Sequence, residues 1–396
     1  MKQIKKVLLV TTVSGFVPQF EMSNVQILQN MGYEIHYAAN FNTPSYGNDN
    51  HRLEGTGIIQ HQIDFVRSPY RFHNLKVFKQ LKQLMMSQQF SLVHCHTPMG
   101  GVMARLAARA TKTSPVIYTA HGFHFYTGAP VVNWLFYYPI ERYLSRFTDE
   151  QICINKEDYM RARKSFHANH VSYIPGVGLD FEKINNTIDV TLKKSELGLP
   201  QDKIILLSSG ELIKRKNHET VIRAIAKLRQ DSTTFHGNSF NRIHYVICGH
   251  GELYQHLNQL VKDLNVSDSI SFLGYREDMM EIFQIADIFV FPSYQEGLPV
   301  AMLEEMAYGL PVICSDIRGS NDLMGGNAKK SVDFCDGGIM INKADDIFAY
   351  SQAISYMIED KNTMRLMGEK NRERAKNFSS EYVKEAMIHI YKRLLL

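Results

Sequence analysis

The sequence predicts an α/β chain made of two similar doubly wound domains, each a parallel sheet with helices on both faces. Three observations carry this. Short, nearly all-apolar runs recur along the 396 residues, each followed by a polar or Gly-containing loop and then a longer stretch at helical spacing. Runs apolar on both faces read as buried parallel strands. The pattern occurs twice, on either side of Ile174-Pro-Gly-Val-Gly-Leu-Asp180, where one Pro and two Gly interrupt it, and a 44% apolar composition suffices for two cores.

In the first half the strand runs are Val7 to Val13, Ile35 to Ala39, Leu92 to His96, Val116 to Ala120, Gln151 to Ile154 and Val171 to Ile174. In the second half they are Ile204 to Ser208, Tyr245 to Cys248, Ile270 to Leu273, Ile288 to Phe291, Val312 to Ser315 and Ile339 to Ile341. The expected division is residues 1–178, residues 179–378, and a terminal helix over 379–396 that returns to the first domain. That helix carries Val383, Met387, Ile390 and Leu394 on one stripe, with Glu381 near its start and Lys392-Arg393 near its end. The polar segment Asp231 to Asn241 reads as a loop. Open α/β sheets bind ligands beyond the carboxyl ends of their strands, so two facing domains would place a site in a central cleft.

The opening Met1-Lys-Gln-Ile-Lys-Lys and the apolar run after it read as a first strand, because the run is short, lacks an Ala-x-Ala-like site and meets Ser14-Gly15 as a strand meets its loop. No stretch reaches the length of a membrane span. Five scattered cysteines without a Cys-x-x-Cys exclude a disulfide framework and a structural zinc site, and fit a reducing cytosol. Residues 1–175 hold 18 Lys+Arg against 10 Asp+Glu, a balance of +8, while the remainder balances at −4. A basic first half suits an anionic partner: membrane phospholipid, nucleic acid or a phosphorylated substrate.

The most informative stretch is Phe291-Pro-Ser-Tyr-Gln-Glu-Gly-Leu-Pro-Val-Ala-Met-Leu-Glu-Glu-Met-Ala-Tyr-Gly-Leu-Pro311. It reads as strand, loop and helix, with Pro299 in the first helical turn and Gly309 just past the last. The amides of Gly297, Leu298 and the first turn would point at an anion, and Glu296 and Glu304 would flank it, suited to a ligand with both phosphate and sugar hydroxyls. In Ser209-Gly-Glu-Leu-Ile-Lys-Arg-Lys-Asn-His218 a glycine ends a strand and three cations follow within one loop, as a diphosphate requires.

In this setting Glu296-x7-Glu304 resembles the signature of the retaining family-four glycosyltransferases of GT-B fold, and the 209–218 loop resembles their capsule and exopolysaccharide branch. The resemblance implies that Lys216 holds the donor pyrophosphate. Glu211 stands where the family usually has an arginine, so Arg215 or Lys214 is expected to supply that charge. It further implies donor contacts from Gly15, Gly210, Gly249 of Cys248-Gly-His-Gly-Glu252, and Tyr275-Arg276 at the strand end framing the nucleobase. Glu304 would hold the ribose, Glu296 would orient the transferred sugar, and His121 would touch that sugar from the first domain. His96, in His96-Thr-Pro, would shape the acceptor side, and Asp316-Ile-Arg-Gly-Ser320 extends the match.

His94, His96, His121 and His124 suggest a metal cluster, but spacing supplies no acidic partner, and the family requires neither metal nor cofactor; the nucleotide-sugar is a substrate. From Ile58 to Lys112 stand Arg67, Arg71, Lys76, Lys79, Lys82, Arg105, Arg109 and Lys112 against Asp64 alone. Leu75, Phe78, Leu81 and Met85 alternate with the lysines as a basic amphipathic helix, which fits either a core-facing helix or an anionic inner membrane surface. The absence of a Gly-x-Ser-x-Gly elbow, a P-loop and a Rossmann fingerprint argues against hydrolase, nucleotidase and dehydrogenase.

The sequence reading is therefore a cytoplasmic, peripherally membrane-associated transferase. It would move a hexosyl or N-acetylhexosaminyl group from a UDP-sugar to a lipid-linked saccharide in surface polysaccharide assembly, with nucleic acid the least suited partner. Two alternatives share the two-domain shape. One is a UDP-sugar epimerase, which would act without an acceptor. The other is an inactive nucleotide-sugar-binding subunit, which Glu211 favours.

Overall fold

The computed structural model describes residues 4–46, 49–66, 72–185, 187–231 and 240–396, and the chain divides into two compact units. The first comprises residues 1–178 with 380–396, the second residues 179–379. Each contains one seven-stranded sheet.

In the first unit the strands are β1 (Lys6–Val13), β2 (Glu34–Asn40), β3 (Ile59–Gln62), β4 (Leu92–His96), β5 (Val116–Ala120), β6 (Glu150–Cys153) and β7 (His170–Tyr173), ordered 3-2-1-4-5-6-7 and all parallel. Register follows from burial: Val7 to Val10 sit beside Leu92 to Cys95, with every one of these residues inaccessible to solvent. One face is covered by the Met22–Asn30 helix and the terminal Ser380–Leu395 helix, the other by the His73–Gln88, Pro98–Thr111, Val131–Leu144 and Lys156–Ser165 helices.

The terminal helix buries Val383, Met387, Ile390 and Tyr391, with Leu394 half-buried, so it completes the first unit's core although it follows the whole of the second. In the His73–Gln88 helix the inward stripe is Asn74, Val77, Leu81 and Met85; Leu75, placed on the apolar face by sequence, points outward. Arg67, Arg71 and most of the 231–241 loop lie outside the described residues.

The second unit has β8 (Ile204–Ser209), β9 (Ile243–Cys248), β10 (Ile270–Gly274), β11 (Ile288–Phe291), β12 (Val312–Ser315), β13 (Val332–Cys335) and β14 (Gly338–Ile341), ordered 10-9-8-11-12-14-13. All pairs are parallel except β13 with β14. Twelve strands stand where apolar runs predict them, within two residues at either end. The sequence shows neither β3 nor β13, both at sheet edges. Ile59, Gln60 and Gln62 are exposed and β13 is at most half-buried, so neither needs the apolar run by which a central strand is recognised. The antiparallel β13 also departs from the expected all-parallel sheet.

Strand order reverses between β1 and β4 in one sheet and between β8 and β11 in the other. The loops after these strands are where an open α/β sheet presents a ligand.

Candidate active site

In the second unit, the loops leaving β8 and β11 meet. Gly210 (φ +140°) ends β8 in a conformation that side chains rarely adopt, and a methyl there would lie 3.0 Å from Lys216 Cε. The chain then makes a short turn over Lys214–Lys216 and closes with Asn217 in the left-handed region (φ +57°). Asn217 Nδ2 donates to the carbonyls of Pro292 (3.0 Å) and Ala344 (2.7 Å), and Thr220 Oγ1 donates to Asn217 Oδ1 (2.9 Å). This buried amide ties the cationic loop to the loop after β11. The peptide N–H of Tyr294 adds a bond to the Arg215 carbonyl (2.9 Å).

The tie brings three donors onto one carboxylate oxygen. Glu296 Oε1 accepts from Arg215 Nη1, from Lys216 Nζ at 2.8 Å and from Ser293 Oγ at 3.2 Å. Arg318 Nε fixes the same residue's backbone by donating to its carbonyl at 2.9 Å. Lys216 also sits 5.1 Å from the centre of the Phe291 ring. The two cations expected at a diphosphate are thus held beside the carboxylate expected at a sugar, while Glu211 is exposed.

The following helix is Val300–Ala307, with Pro299 at its N-cap, one residue earlier than expected, and no side-chain cap. The amides of its first turn are therefore available to an anion. Leu298 is buried, so only its backbone faces this start, and Gly319 lets the Gly297 carbonyl approach: a methyl on Gly319 would lie 2.5 Å from that oxygen. Glu304 is half-buried, and burial pushes its carboxyl up to about 7. Its neighbour Glu305 is fully buried with neither oxygen partnered, and burial, with the adjacent Glu304, holds its carboxyl well above the usual carboxylate range.

Gly249 (φ +144°) has a packing reason of its own. A Cβ there would fall 1.9 Å from the Gly210 carbonyl oxygen, so the two strand-end glycines pass in backbone contact. At the end of β10, Tyr275 is 68% exposed and its ring stacks on His250, an open aromatic platform. Arg276 is committed elsewhere: Nε and Nη2 donate to Asp278 at 2.8 and 2.6 Å, and Lys193 reaches the same carboxylate at 2.6 Å. Arg276 and Lys193 together hold Asp278 well below the usual carboxylate range.

In the first unit, Gly15 follows β1 with its amide on the Pro44 carbonyl (2.8 Å), and a methyl there would lie 1.8 Å from the Ser45 carbonyl oxygen. His96 ends β4, and His121 follows β5 half-buried, its ring edge-to-face with Phe16 at 4.9 Å. His96 is fully buried; it stands behind His121, Nδ1 to Nε2 at 3.2 Å, which takes it out of direct contact with an acceptor.

The acidic partner that spacing does not supply comes from the chain fold. Glu21 Oε1 lies 3.4 Å from His96 Nδ1, and the ligand atoms of Glu21, His96 and His121 all fall within 4.8 Å of one another, so among the described residues these three side chains are grouped closely enough to hold a metal ion. Burial raises Glu21 to about 8, lowers His121 to about 4 and holds His96 well below the usual imidazole range, which favours the neutral form of all three. His96 Nε2 is buried without the second-shell acceptor that a metal-ligating histidine normally has. His94 belongs to the core, with Nδ1 on the Tyr391 hydroxyl and Nε2 on Thr119 Oγ1, both at 2.9 Å; His124 stacks on Tyr137.

Sequence reasoning passed over Glu21, Ser293 and the tying role of Asn217. Only Asn217 left a signal, as an Asn suited to a left-handed position directly after the cations.

Comparison with known proteins shows the family and the fold. Residues 189–374 match the model of glycosyl transferases group 1, and residues 6–155 match that of glycosyl transferase 4-like proteins. The chain is 33% identical to EpsD of Bacillus subtilis (strain 168) over 392 residues, covering 98% of this chain and 96% of that one. It is 28% identical to the UDP-Gal:alpha-D-GlcNAc-diphosphoundecaprenol alpha-1,3-galactosyltransferase of Escherichia coli, covering 91% and 88% of the two chains. Among solved structures, HepE of Anabaena in complex with UDP superposes with a TM-score of 0.76 at 16% identity, over 99% of this chain and 100% of that one. Sucrose-phosphate synthase of Thermosynechococcus elongatus superposes at 0.73 with 17% identity, over 98% of each chain. These likenesses carry the fold, the two-unit GT-B class expected from sequence.

Proposed function

The chain belongs to the glycosyltransferases of the group 1 and 4-like families, and from that premise we propose that it transfers a hexosyl or N-acetylhexosaminyl group from a UDP-sugar to a lipid-linked saccharide, with retention, in exopolysaccharide or capsule assembly. The observation that carries the donor half is the convergence of Arg215 and Lys216 on Glu296 beside an uncapped helix start at the β8/β11 switch point. An arriving diphosphate would draw Lys216 and Arg215 from Glu296, releasing that carboxylate to accept hydroxyls of the transferred sugar. Glu304 would take the ribose and the Tyr275 platform the base. The acceptor half is supported by the relative named for a GlcNAc-diphosphoundecaprenol acceptor.

In the reaction, the acceptor hydroxyl oxygen bonds to the anomeric carbon while that carbon's bond to the diphosphate oxygen breaks. The diphosphate leaves with the electron pair and its oxygen takes the acceptor proton. Lys216, Arg215 and the amides before and within the first helical turn stabilise the growing negative charge. These fixed cations supply the charge neutralisation, so the reading needs no metal. In this reading neutral His121, backed by His96 and Glu21, would serve the transferred sugar as a hydrogen-bonding group.

No described helix is long and apolar enough to cross a membrane. The enzyme would work from the cytoplasmic face as a peripheral protein. The test is transfer from UDP-, GDP- and ADP-sugars to undecaprenyl-diphosphate saccharides. Turnover with a UDP-sugar only when such an acceptor is present supports the reading. Conversion of UDP-GlcNAc alone to its epimer, or UDP binding without turnover on any acceptor, would replace it.

A further inference from the structure

The Val131–Leu144 helix is apolar on nearly every side; apart from its tyrosines, Asn133, Glu141 and Arg142 are its only polar residues. Helices of this kind are normally buried all round. This one is covered on one side. Trp134, Tyr137 and Tyr138 pack into the unit's core, and Glu141 is buried against Arg105 at 2.7 Å. The opposite half carries Val131 (73% exposed), Val132, Leu135 (69%), Phe136, Ile140 and Tyr143, all exposed. At about 100° per residue they fall within one half-turn of the helix circumference and form a continuous apolar stripe. Scattered exposed apolar residues need no explanation, but a continuous stripe marks a surface that something covers.

Charge identifies the cover. The only acid on this helix is the buried Glu141, and the stripe ends in exposed Arg142 and Arg146. Arg146 lies 5.9 Å from the Tyr143 ring centre, and Arg109 lies 5.5 Å from that of Phe147. The Tyr143 and Phe147 rings meet edge to face at 5.4 Å. A two-fold contact between copies would set this cationic rim against itself. An anionic lipid surface would instead accept the apolar stripe at the acyl boundary, with rings and guanidinium groups at headgroup level. We infer that the outer face of the Val131–Leu144 helix seats the first unit on an anionic phospholipid membrane. This deepens the peripheral-membrane element of the proposed function and names its surface.

The experiment is co-sedimentation of the full chain with phosphatidylcholine vesicles, with and without phosphatidylglycerol. The wild type should bind vesicles containing phosphatidylglycerol, more weakly at high salt, and bind poorly to phosphatidylcholine alone. The triple variant Leu135→Ser, Phe136→Ser, Ile140→Ser should lose binding by roughly a hundredfold, from the apolar area withdrawn from the interface. Arg142→Glu with Arg146→Glu should abolish the preference for phosphatidylglycerol. All five sites are exposed, so circular dichroism and UDP affinity should match wild type. Wild-type protein that stays in the supernatant with phosphatidylglycerol vesicles overturns the inference, as does a triple variant that binds undiminished. A wild-type dimer that the triple variant converts to monomer, with vesicle binding unchanged, assigns the face to a second copy instead. Neither donor nor acceptor is present in this assay, so its failure and the failure of the transfer reading are separate results.

Discussion

Replacing Lys216 with alanine separates chemistry from folding. In the resting structure Lys216 Nζ contacts Glu296 Oε1 at 2.8 Å, and its side chain is 13% exposed. Its removal leaves Glu296 Oε1 with Arg215 and Ser293, so no buried charge is stranded and the stability cost should stay near about 1 kcal/mol. For a unit of this size that lowers the unfolding midpoint by about 2–4 °C. Catalysis should fall much further. A preorganised donor aimed at developing oxyanion charge contributes roughly 3–4 kcal/mol, so turnover should drop about 10²–10³-fold. Initial rates of sugar transfer, read beside thermal unfolding and UDP binding, test both halves. Lys216→Arg should recover part of the rate, since it restores charge with a different reach. Near-wild-type turnover in Lys216→Ala would refute the reasoning. A midpoint collapse accompanying the loss of rate would refute it too, because the lysine would then be a structural strut.

Donor affinity should rise as pH increases through about 7, because burial holds Glu304 protonated below that value and an ionised carboxylate accepts two hydroxyls; Glu304→Gln should flatten the profile measured as KM against pH. The same raised value means that Glu304's contribution to stability is fully present below about 4.5 and is lost as pH rises through about 7, which pH-dependent chemical denaturation of wild type and Glu304→Gln would show. Gly249→Ala should destabilise the second unit by several kcal/mol, since its methyl would lie 1.9 Å from the Gly210 carbonyl oxygen at a φ of +144°; a thermal midpoint within a degree or so of wild type would contradict the packing. Tyr391→Phe should cost about 1–3 kcal/mol by leaving His94 Nδ1 unpaired in the core, measured by urea denaturation, with the kinetics of transfer unchanged. Transfer should survive chelator treatment; loss of activity restored by added zinc would move Glu21, His96 and His121 into a metal-binding role.

The central strands and the donor motif were legible in the sequence because their signals are local. A strand buried on both faces must be apolar at every position, and a cationic loop or Glu-Gly-Leu-Pro turn is a contiguous run of residues. Edge strands β3 and β13 escape because half-exposed backbone tolerates Gln, His and Asp. Composition and spacing alone determined the class of fold, the doubling of the sheet, the basic first half and the residue types placed at the strand ends.

Tertiary structure decided what those residues do to one another. It set Glu21 against His96, 75 positions apart, and left His96 buried behind His121. It brought Lys216 and Arg215 onto Glu296 through the amide of Asn217, turned Arg276 toward Asp278, and left half of an all-apolar helix uncovered. The long-range pairings among these share one physical reason. Hydrogen bonds and ion pairs depend on distances between side chains from different strands and loops, and sheets ordered 3-2-1-4-5-6-7 and 10-9-8-11-12-14-13 make neighbours of residues remote in the chain.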